Sequence, residues 1–252
     1  MTTQIDLNAD VGEGCGNDAE LIRLVTSANI ACGGHAGDEA TIEAAVIAAI
    51  KAGVTIGAHP GHADRKSFGR RELPIRSTEV AALITEQVRR LQTIAARHDA
   101  QLKYIKLHGG LYHQAARETP IANGVVTAVR QLGGNLALLG LADSELATAA
   151  SSRGVPFFAE AFADRGYQAD GSLLPRSAEG SVLTDEALII AQTVSIATEQ
   201  CNITATGQRI PLRADSLCLH GDGANAVASA LAVQQALVAT GVQLNSFLPP
   251  RG

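Results

Sequence analysis

The chain has 252 residues with 46% hydrophobic and 18% charged residues, a balance that excludes an intrinsically disordered protein. Its formal net charge of −5 disfavours nucleic acids and anionic membranes as partners. No apolar run approaches the length of a membrane span, and the first residues lack a signal-like core, so we expect a cytoplasmic protein. The length suits one α/β barrel, and residues 1–252 are expected to form a single domain.

Short apolar runs alternate with helical patterns along the chain. Strands are predicted near residues 4–8, 28–32, 54–58, 102–108, 135–140, 155–160, 215–220 and 242–246. Helices are predicted at 40–52, 78–98, 120–132, 143–153, 185–200 and 224–240, where apolar residues recur at helical spacing. Residues 203–212 have the pattern of a small hairpin. This order predicts the α/β class, as a single-domain distorted (β/α) barrel of seven or eight mostly parallel strands.

Six of the apolar runs end in clusters of histidine, acidic residues and glycine. The clusters lie within residues 5–13, 29–38, 55–62, 104–110, 157–165 and 216–222. Ligands of parallel α/β sheets bind beyond the carboxyl ends of the strands, so the clusters predict one active site built from many loops. Their spread over the whole chain favours a barrel, in which all these loops share one rim.

Acidic residues follow the first predicted strand. Asp6, Asn8 and Asp10 alternate along it and therefore point to the same side. Asp10 and Glu13 lie where the strand ends, so each could orient a histidine or act as a general base. N-capping and loop hydrogen bonding are the structural alternative for both.

Histidines recur in the strand-end clusters, and imidazole suits proton transfer or metal ligation near neutral pH. His59 and His62 could place two metal ligands together, although this spacing in a loop is unspecific. Lys106 precedes His108 by two residues in a strand, so both side chains share a face. An inward lysine either pairs with a carboxylate or polarises a substrate carbonyl as a fixed cation.

The later clusters combine acidic residues with arginine. Glu160, Asp164 and Arg165 lie together and Arg176 follows after a loop; the arginines either neutralise carboxylates or anchor an anionic substrate. The last cluster, His220-Gly-Asp222, can supply a histidine–carboxylate pair. Phosphate-loop, Rossmann and nucleophile-elbow motifs are absent from the sequence, and its four cysteines lack zinc-ribbon spacing. The expected chemistry is acid–base or metal-assisted attack by water.

Several segments resemble the LamB/YcsF family, described as the A component of bacterial 5-oxoprolinase. They follow the family's order over nearly the whole chain: DLNADVGEG, SANIACGGHAGD, GVTIGAHPG, FGRRELP, LHGGLYHQA, EAFADRGYQADGSLLPR and CLHGDGANAV. Two segments differ from the family pattern. Residues 61–64 read GHAD where the family has GYPD, and residues 106–110 read KLHGG where it has KPHGA.

The resemblance implies ATP-dependent ring opening of 5-oxo-L-proline (pyroglutamate) to L-glutamate, with partner subunits B and C. It also implies a barrel similar to the glycoside hydrolase/deacetylase fold. The matching positions give catalytic candidates Asp10, Glu13, His59, Lys106, His108 and Asp222. They give substrate-binding candidates His35, Glu160, Asp164, Arg165, Arg176 and His220.

The favoured hypothesis is that the partner subunits use ATP to activate the lactam oxygen, after which this chain directs water at the carbonyl carbon. His59 or His108 would be the base, oriented by Asp10 or Asp222. Lys106 would stabilise the oxyanion, and Arg165 or Arg176 would hold the substrate carboxylate.

Two other classes of function remain open. One is a metal-dependent amidohydrolase or carbohydrate deacetylase, with Asp10, His59 and His62 around a divalent metal ion. The other is a non-catalytic scaffold or small-molecule-binding component of a larger complex.

Overall fold

The computed structural model describes residues 3–221, 223 and 225–248. Its strands are β1 (Gln4–Val11), β2 (Ser27–Ala31), β3 (Thr55–His59), β4 (Tyr104–Lys106), β5 (Ala137–Leu141), β6 (Phe157–Phe162), β7 (Cys201–Ile203), β8 (Arg209–Pro211), β9 (Ser216–Leu219) and β10 (Gln243–Leu244). Seven of them form a parallel barrel in the order β1-β2-β3-β4-β5-β6-β9, which closes because β9 pairs with β1. The predicted barrel is therefore confirmed, with seven strands.

Helices surround the barrel, and their apolar faces pack on it. They are α1 (Asp18–Ile22), α2 (Glu39–Ala52), α3 (Ser77–Ala96), α4 (Gly109–Arg117), α5 (Thr119–Leu132), α6 (Glu145–Ser152), α7 (Glu186–Glu199) and α8 (Ala226–Ala239). Within the described residues, no helix combines the length and apolar character that a membrane span requires.

Strand β1 closes the barrel because it is long enough to pair with three other strands. Its first residues pair with β10, and the following ones pair with β9 on one side and β2 on the other. Its alternate residues Leu7 and Ala9 belong to the apolar core, whereas Asn8 donates a hydrogen bond to Glu160 on β6. Since β6 is not a neighbour of β1, this bond crosses the barrel interior, which is therefore polar.

Three neighbouring strands are linked by one tyrosine. Asn29, Gly57 and Tyr104 are aligned in register on β2, β3 and β4. The Tyr104 ring lies over Gly57, and its hydroxyl donates to Asn29 Oδ1 at 2.6 Å. A side chain at position 57 would overlap the Tyr104 ring, so glycine is required there.

The structure also shows where the predicted elements differ from the observed ones. The hairpin is confirmed, with β7 antiparallel to β8. Helices α1 and α4 are additions. The predicted strand 102–108 is observed at Tyr104–Lys106, because His108 already occupies the N-cap position of α4. The predicted strand 242–246 is reduced to β10, which extends the sheet beside β1 outside the closed ring.

Candidate active site

The carboxyl ends of the barrel strands enclose a small polar cavity of about 40 Å³. Side chains from five barrel strands or the loops after them line it, together with α4: Asp10, His59, Lys106, His108, Tyr112, Phe162, Arg165 and His220. A wider groove of about 650 Å³ adjoins this cavity, and Arg70, His113 and Arg176 line both. The predicted convergence of distant clusters on one rim is thus observed.

Lys106 is buried among acidic and polar groups from other strands. Its Nζ lies 2.8 Å from Asp10 Oδ1 and 3.0 Å from Glu160 Oε1. It also donates to Cys218 Sγ at 2.9 Å. Burial alone would lower the pKa of Lys106, but the negative charges around it, Asp10 first, raise that pKa well above its usual value. Of the two roles expected for an inward lysine, the geometry favours carboxylate pairing.

Asp10 remains ionised although it is buried. Burial opposes its charge, but the electrostatic interactions with His59 and Lys106 outweigh this effect and hold the pKa of Asp10 well below its usual value. Asn29 Nδ2 donates to Asp10 Oδ1 at 2.8 Å. The other oxygen, Oδ2, lies 3.3 Å from His59 Nε2, so Asp10 links the lysine to the histidine cluster.

That histidine cluster consists of Glu13, His35, His59 and His108. His35 Nε2 lies 2.9 Å from Glu13 Oε1, and His108 Nδ1 lies 2.9 Å from His59 Nε2. The rings of His35 and His108 are stacked with centroids 3.7 Å apart. One ligand atom from each of the four residues lies within 4.8 Å of all the others, so the group could hold a metal ion.

Two of these histidines are held in the neutral form. Burial and the neighbouring His59 lower the pKa of His35 to about 3. Burial, together with His35 and His59, also lowers the pKa of His108 well below its usual value. Neutral imidazole is the form that binds a metal ion or accepts a proton.

His220 forms a separate histidine–carboxylate pair with Asp164. Its Nδ1 lies 2.8 Å from Asp164 Oδ1 and 2.9 Å from Oδ2. Burial opposes the charge of Asp164, but the electrostatic and hydrogen-bond interactions with His220, together with the charge of Arg165, outweigh it and lower the pKa of Asp164. His220 also stacks on Phe162. Asp222, the carboxylate partner predicted from the sequence, lies outside the described residues.

The two predicted arginines differ in their surroundings. Arg165 is buried and donates to the backbone carbonyls of Ser181 at 2.8 Å and Leu174 at 2.7 Å. Burial and the nearby Arg176 lower the pKa of Arg165 to about 10. Arg165 thus shapes the loop after β6 as well as lining the cavity. Arg176 is exposed on that loop, where it can reach an anion in either cavity.

The alternative metal set of Asp10, His59 and His62 is not assembled in the described residues. Asp10 and His59 are neighbours, but His62 does not belong to the group of converging ligand atoms. Its Nε2 lies 2.6 Å from Gln114 Oε1 on α4. The reason is local, because the chain leaves β3 at His59 and directs His62 towards α4.

Sequence reasoning missed Tyr112 as a site residue. Its hydroxyl is buried next to the Glu160 carboxylate, whose Oε2 is also buried. Burial and the charge of Glu160 raise the pKa of Tyr112 well above its usual value, so it stays a phenol. Tyr112 lies on α4, which was not predicted, although it belongs to the family-like segment LHGGLYHQA.

Comparisons with known proteins identify the family of the chain. The LamB/YcsF family model matches residues 5–251. The chain belongs to the LamB/YcsF family. A lactam utilization protein from Thermus thermophilus is 36% identical, with a TM-score of 0.90 over 96% of this chain and 99% of that one.

More distant similarities concern the barrel. A T48 deacetylase bound to its substrate is 9% identical and has a TM-score of 0.50, over 96% of this chain and 87% of that one. A family 4 carbohydrate esterase from Streptomyces lividans is 12% identical and has a TM-score of 0.47, over 96% of this chain and 91% of that one. The similarity to the T48 deacetylase confirms, at the level of fold, the expected likeness of this LamB/YcsF protein to a deacetylase-type barrel.

Proposed function

We propose that this chain is the A component of a 5-oxoprolinase, which opens 5-oxo-L-proline to L-glutamate with ATP and partner subunits B and C. Membership of the LamB/YcsF family and similarity to a lactam utilization protein along both chains support a lactam as substrate. The observation that carries hydrolysis is the polar cavity, where imidazoles, an ionised carboxylate and arginine meet.

The geometry favours His220 as the general base. Asp164 accepts a hydrogen bond from Nδ1 of His220, which keeps the ring proton on that nitrogen. A lone pair is then left on Nε2, where it can accept the proton of the attacking water. His59 and His108 suit this role less well, because both nitrogens of each ring already face partners within 2.9 Å. We therefore assign the base to the Asp164–His220 pair.

The remaining residues bind and polarise the substrate in this proposal. Arg176 holds the carboxylate of 5-oxoproline from the adjoining groove. Lys106 supplies a fixed positive charge beside the cavity and keeps Asp10 ionised, although its donors are already engaged. A lactam carbonyl is a poor electrophile, which explains the coupling to ATP that the partner subunits would consume.

The decisive assay is glutamate release from 5-oxoproline by the chain with and without candidate subunits B and C. Release should require ATP and all three chains. In the reconstituted complex, His220→Gln should lower kcat by roughly 10²–10⁴-fold, the usual contribution of a general base. His98→Gln is the matched control, because His98 pairs with Glu43 away from the cavity.

Two results would contradict the proposal. Fast lactam opening by this chain without ATP would show that ring opening is not coupled to ATP hydrolysis. Full activity of the His220→Gln complex would favour the scaffold alternative.

A second candidate is a metal-dependent amidohydrolase or carbohydrate deacetylase, favoured by the cluster of Glu13, His35, His59 and His108. This function predicts that the chain alone, loaded with a divalent metal ion, hydrolyses an amide or an acetylated sugar. Absence of that activity, combined with ATP-dependent glutamate release by the complex, would exclude it.

A further inference from the structure

We propose that Glu13, His35, His59 and His108 form a binding site for one divalent transition-metal ion of the zinc class. The four residues come from the loops after β1 and β2, the end of β3 and the start of α4. Their ligand atoms lie within 4.8 Å of one another. Three imidazoles and one carboxylate are a ligand set typical of zinc and related metals.

Two backbone carbonyls fix which nitrogens carry protons. His59 Nδ1 lies 2.9 Å from the carbonyl oxygen of Lys106, and His108 Nε2 lies 2.8 Å from that of Phe68. A carbonyl can only accept, so each ring donates its proton there. In the neutral form of each ring, the lone pair of His59 Nε2 or His108 Nδ1 is therefore directed into the cluster.

These two nitrogens face each other at 2.9 Å. Two lone pairs at this distance repel, and Asp10 Oδ2 adds a third acceptor 3.3 Å from His59 Nε2. A cation in the cluster, either a proton or a metal ion, is needed to hold these groups together. Metal-bound histidines commonly donate a hydrogen bond to an outer partner, which is a group that is not itself a ligand, and the two backbone carbonyls orient these rings in the same way.

The distances distinguish the two kinds of cation. Ligand atoms of a tetrahedral zinc lie about 3.3 Å apart, given zinc–ligand bonds of roughly 2.0–2.1 Å. Glu13 Oε1 lies 2.9 Å from His35 Nε2, 3.4 Å from His108 Nδ1 and 3.9 Å from His59 Nε2. A proton joins one pair of these atoms, whereas a metal ion joins all four. The three separations from Glu13 bracket the tetrahedral value, and all four ligand atoms lie within 4.8 Å of one another.

Binding of the ion is independent of the proposed function, but its use in lactam opening rests on it. His59 and His108 line the cavity, so the ion would lie at the wall where water and substrate meet. A bound divalent ion lowers the pKa of a coordinated water. The Asp164–His220 pair would then accept the proton of that water.

Equilibrium dialysis of chelator-stripped protein against Zn²⁺, with metal analysis, tests the site. Wild type should bind one zinc per chain. Glu13→Gln should weaken binding by at least about 100-fold, beyond the roughly 10–100-fold expected for loss of an outer partner. His62→Gln is the matched control, because His62 is a nearby buried histidine outside the cluster, and it should bind like wild type.

Thermal unfolding keeps the test valid if a variant is destabilised. Zinc should raise the Tm of wild type and of His62→Gln by mass action and leave that of Glu13→Gln unchanged. Folded wild type that binds no zinc, or equal binding by wild type and Glu13→Gln, would overturn the site in favour of a shared proton.

The same preparations separate this inference from the proposed function. A reconstituted complex that opens 5-oxoproline at full rate while this chain binds no zinc overturns the metal site and supports the function. A complex that binds zinc in this cluster but never releases glutamate supports the site and counts against the function.

Discussion

Replacing Lys106 by methionine removes the cation that two buried carboxylates share. The ammonium lies 2.8 Å from Asp10 and 3.0 Å from Glu160. At an effective dielectric constant of about 20, Coulomb's law gives about 6 kcal/mol for each contact, and desolvation of the ions offsets much of it. Removing one member of such a buried group costs about 3–5 kcal/mol, because the remaining charges are left uncompensated. We expect Lys106→Met to lower the free energy of unfolding by this amount.

Urea denaturation followed by circular dichroism measures the effect. With an m value of roughly 3 kcal/mol/M, the midpoint should fall by about 1–2 M. Lys51→Met is the matched control at an exposed position near the end of α2, where we expect at most about 1 kcal/mol. A change below about 1 kcal/mol in Lys106→Met, at unchanged m, would refute the buried pairing.

The defect of Lys106→Met should also depend on pH. Without the ammonium, one of the interactions that offset the burial of Asp10 is lost, so the pKa of Asp10 in the folded variant should lie above its value in the wild type. A pKa raised in this way makes the defect grow as pH rises through the interval between the two values. The defect should therefore be smaller at acidic pH than at about pH 8, and the opposite trend would contradict the argument.

Three further substitutions test other parts of the structure. Burial raises the pKa of Asp6 from 3.8 to about 6. The contribution of Asp6 to stability is therefore greatest below pH 3.8 and is lost as the pH rises through about 6. In unfolding experiments over this pH range, the free energy of unfolding of Asp6→Asn should fall by up to about 3 kcal/mol less than that of the wild type. Gly57→Ala should cost about 1–3 kcal/mol because its Cβ overlaps Tyr104, whereas Gly140→Ala, with neighbours at 3.4 Å, should cost less. Arg176→Gln should raise KM for 5-oxoproline by roughly 10–100-fold and leave kcat nearly unchanged, as loss of a charge-assisted bond implies.

The barrel could be predicted because its strands and helices differ in their patterns. Buried parallel strands are short apolar runs, and the long helices repeat apolar residues at their own spacing. Helix α4 was missed because it begins with Gly109-Gly110, which resembles a loop. The structure explains both glycines, since a side chain at either position would collide with the backbone of residues 69–72. The glycines permit a close approach of the chain to itself rather than ending a helix.

The site was predictable as a set of residues but not as a set of pairs. Strand ends meet at one rim whatever the loops do, so the convergence of the clusters followed from the pattern. Pairing depends on the loop paths, which the sequence does not encode in a regular spacing. His220 contacts Asp164, which lies 56 positions earlier in the chain. Likewise His62, only three residues from His59, points to Gln114 instead of the cluster.

Lys106 shows how closure of the barrel and construction of the site are the same event. Its partners Asp10 and Glu160 lie on β1 and β6, and neither strand is a neighbour of β4. In a flat sheet, β1 and β4 would be separated by three strand spacings, about 14 Å, which a lysine and an aspartate cannot bridge at hydrogen-bond distance. The ion pair therefore forms only when β9 has joined β1 and the strands curve around a common axis. Because the same Asp10 also contacts His59, the charge that stabilises the closed barrel fixes the polar wall of the cavity.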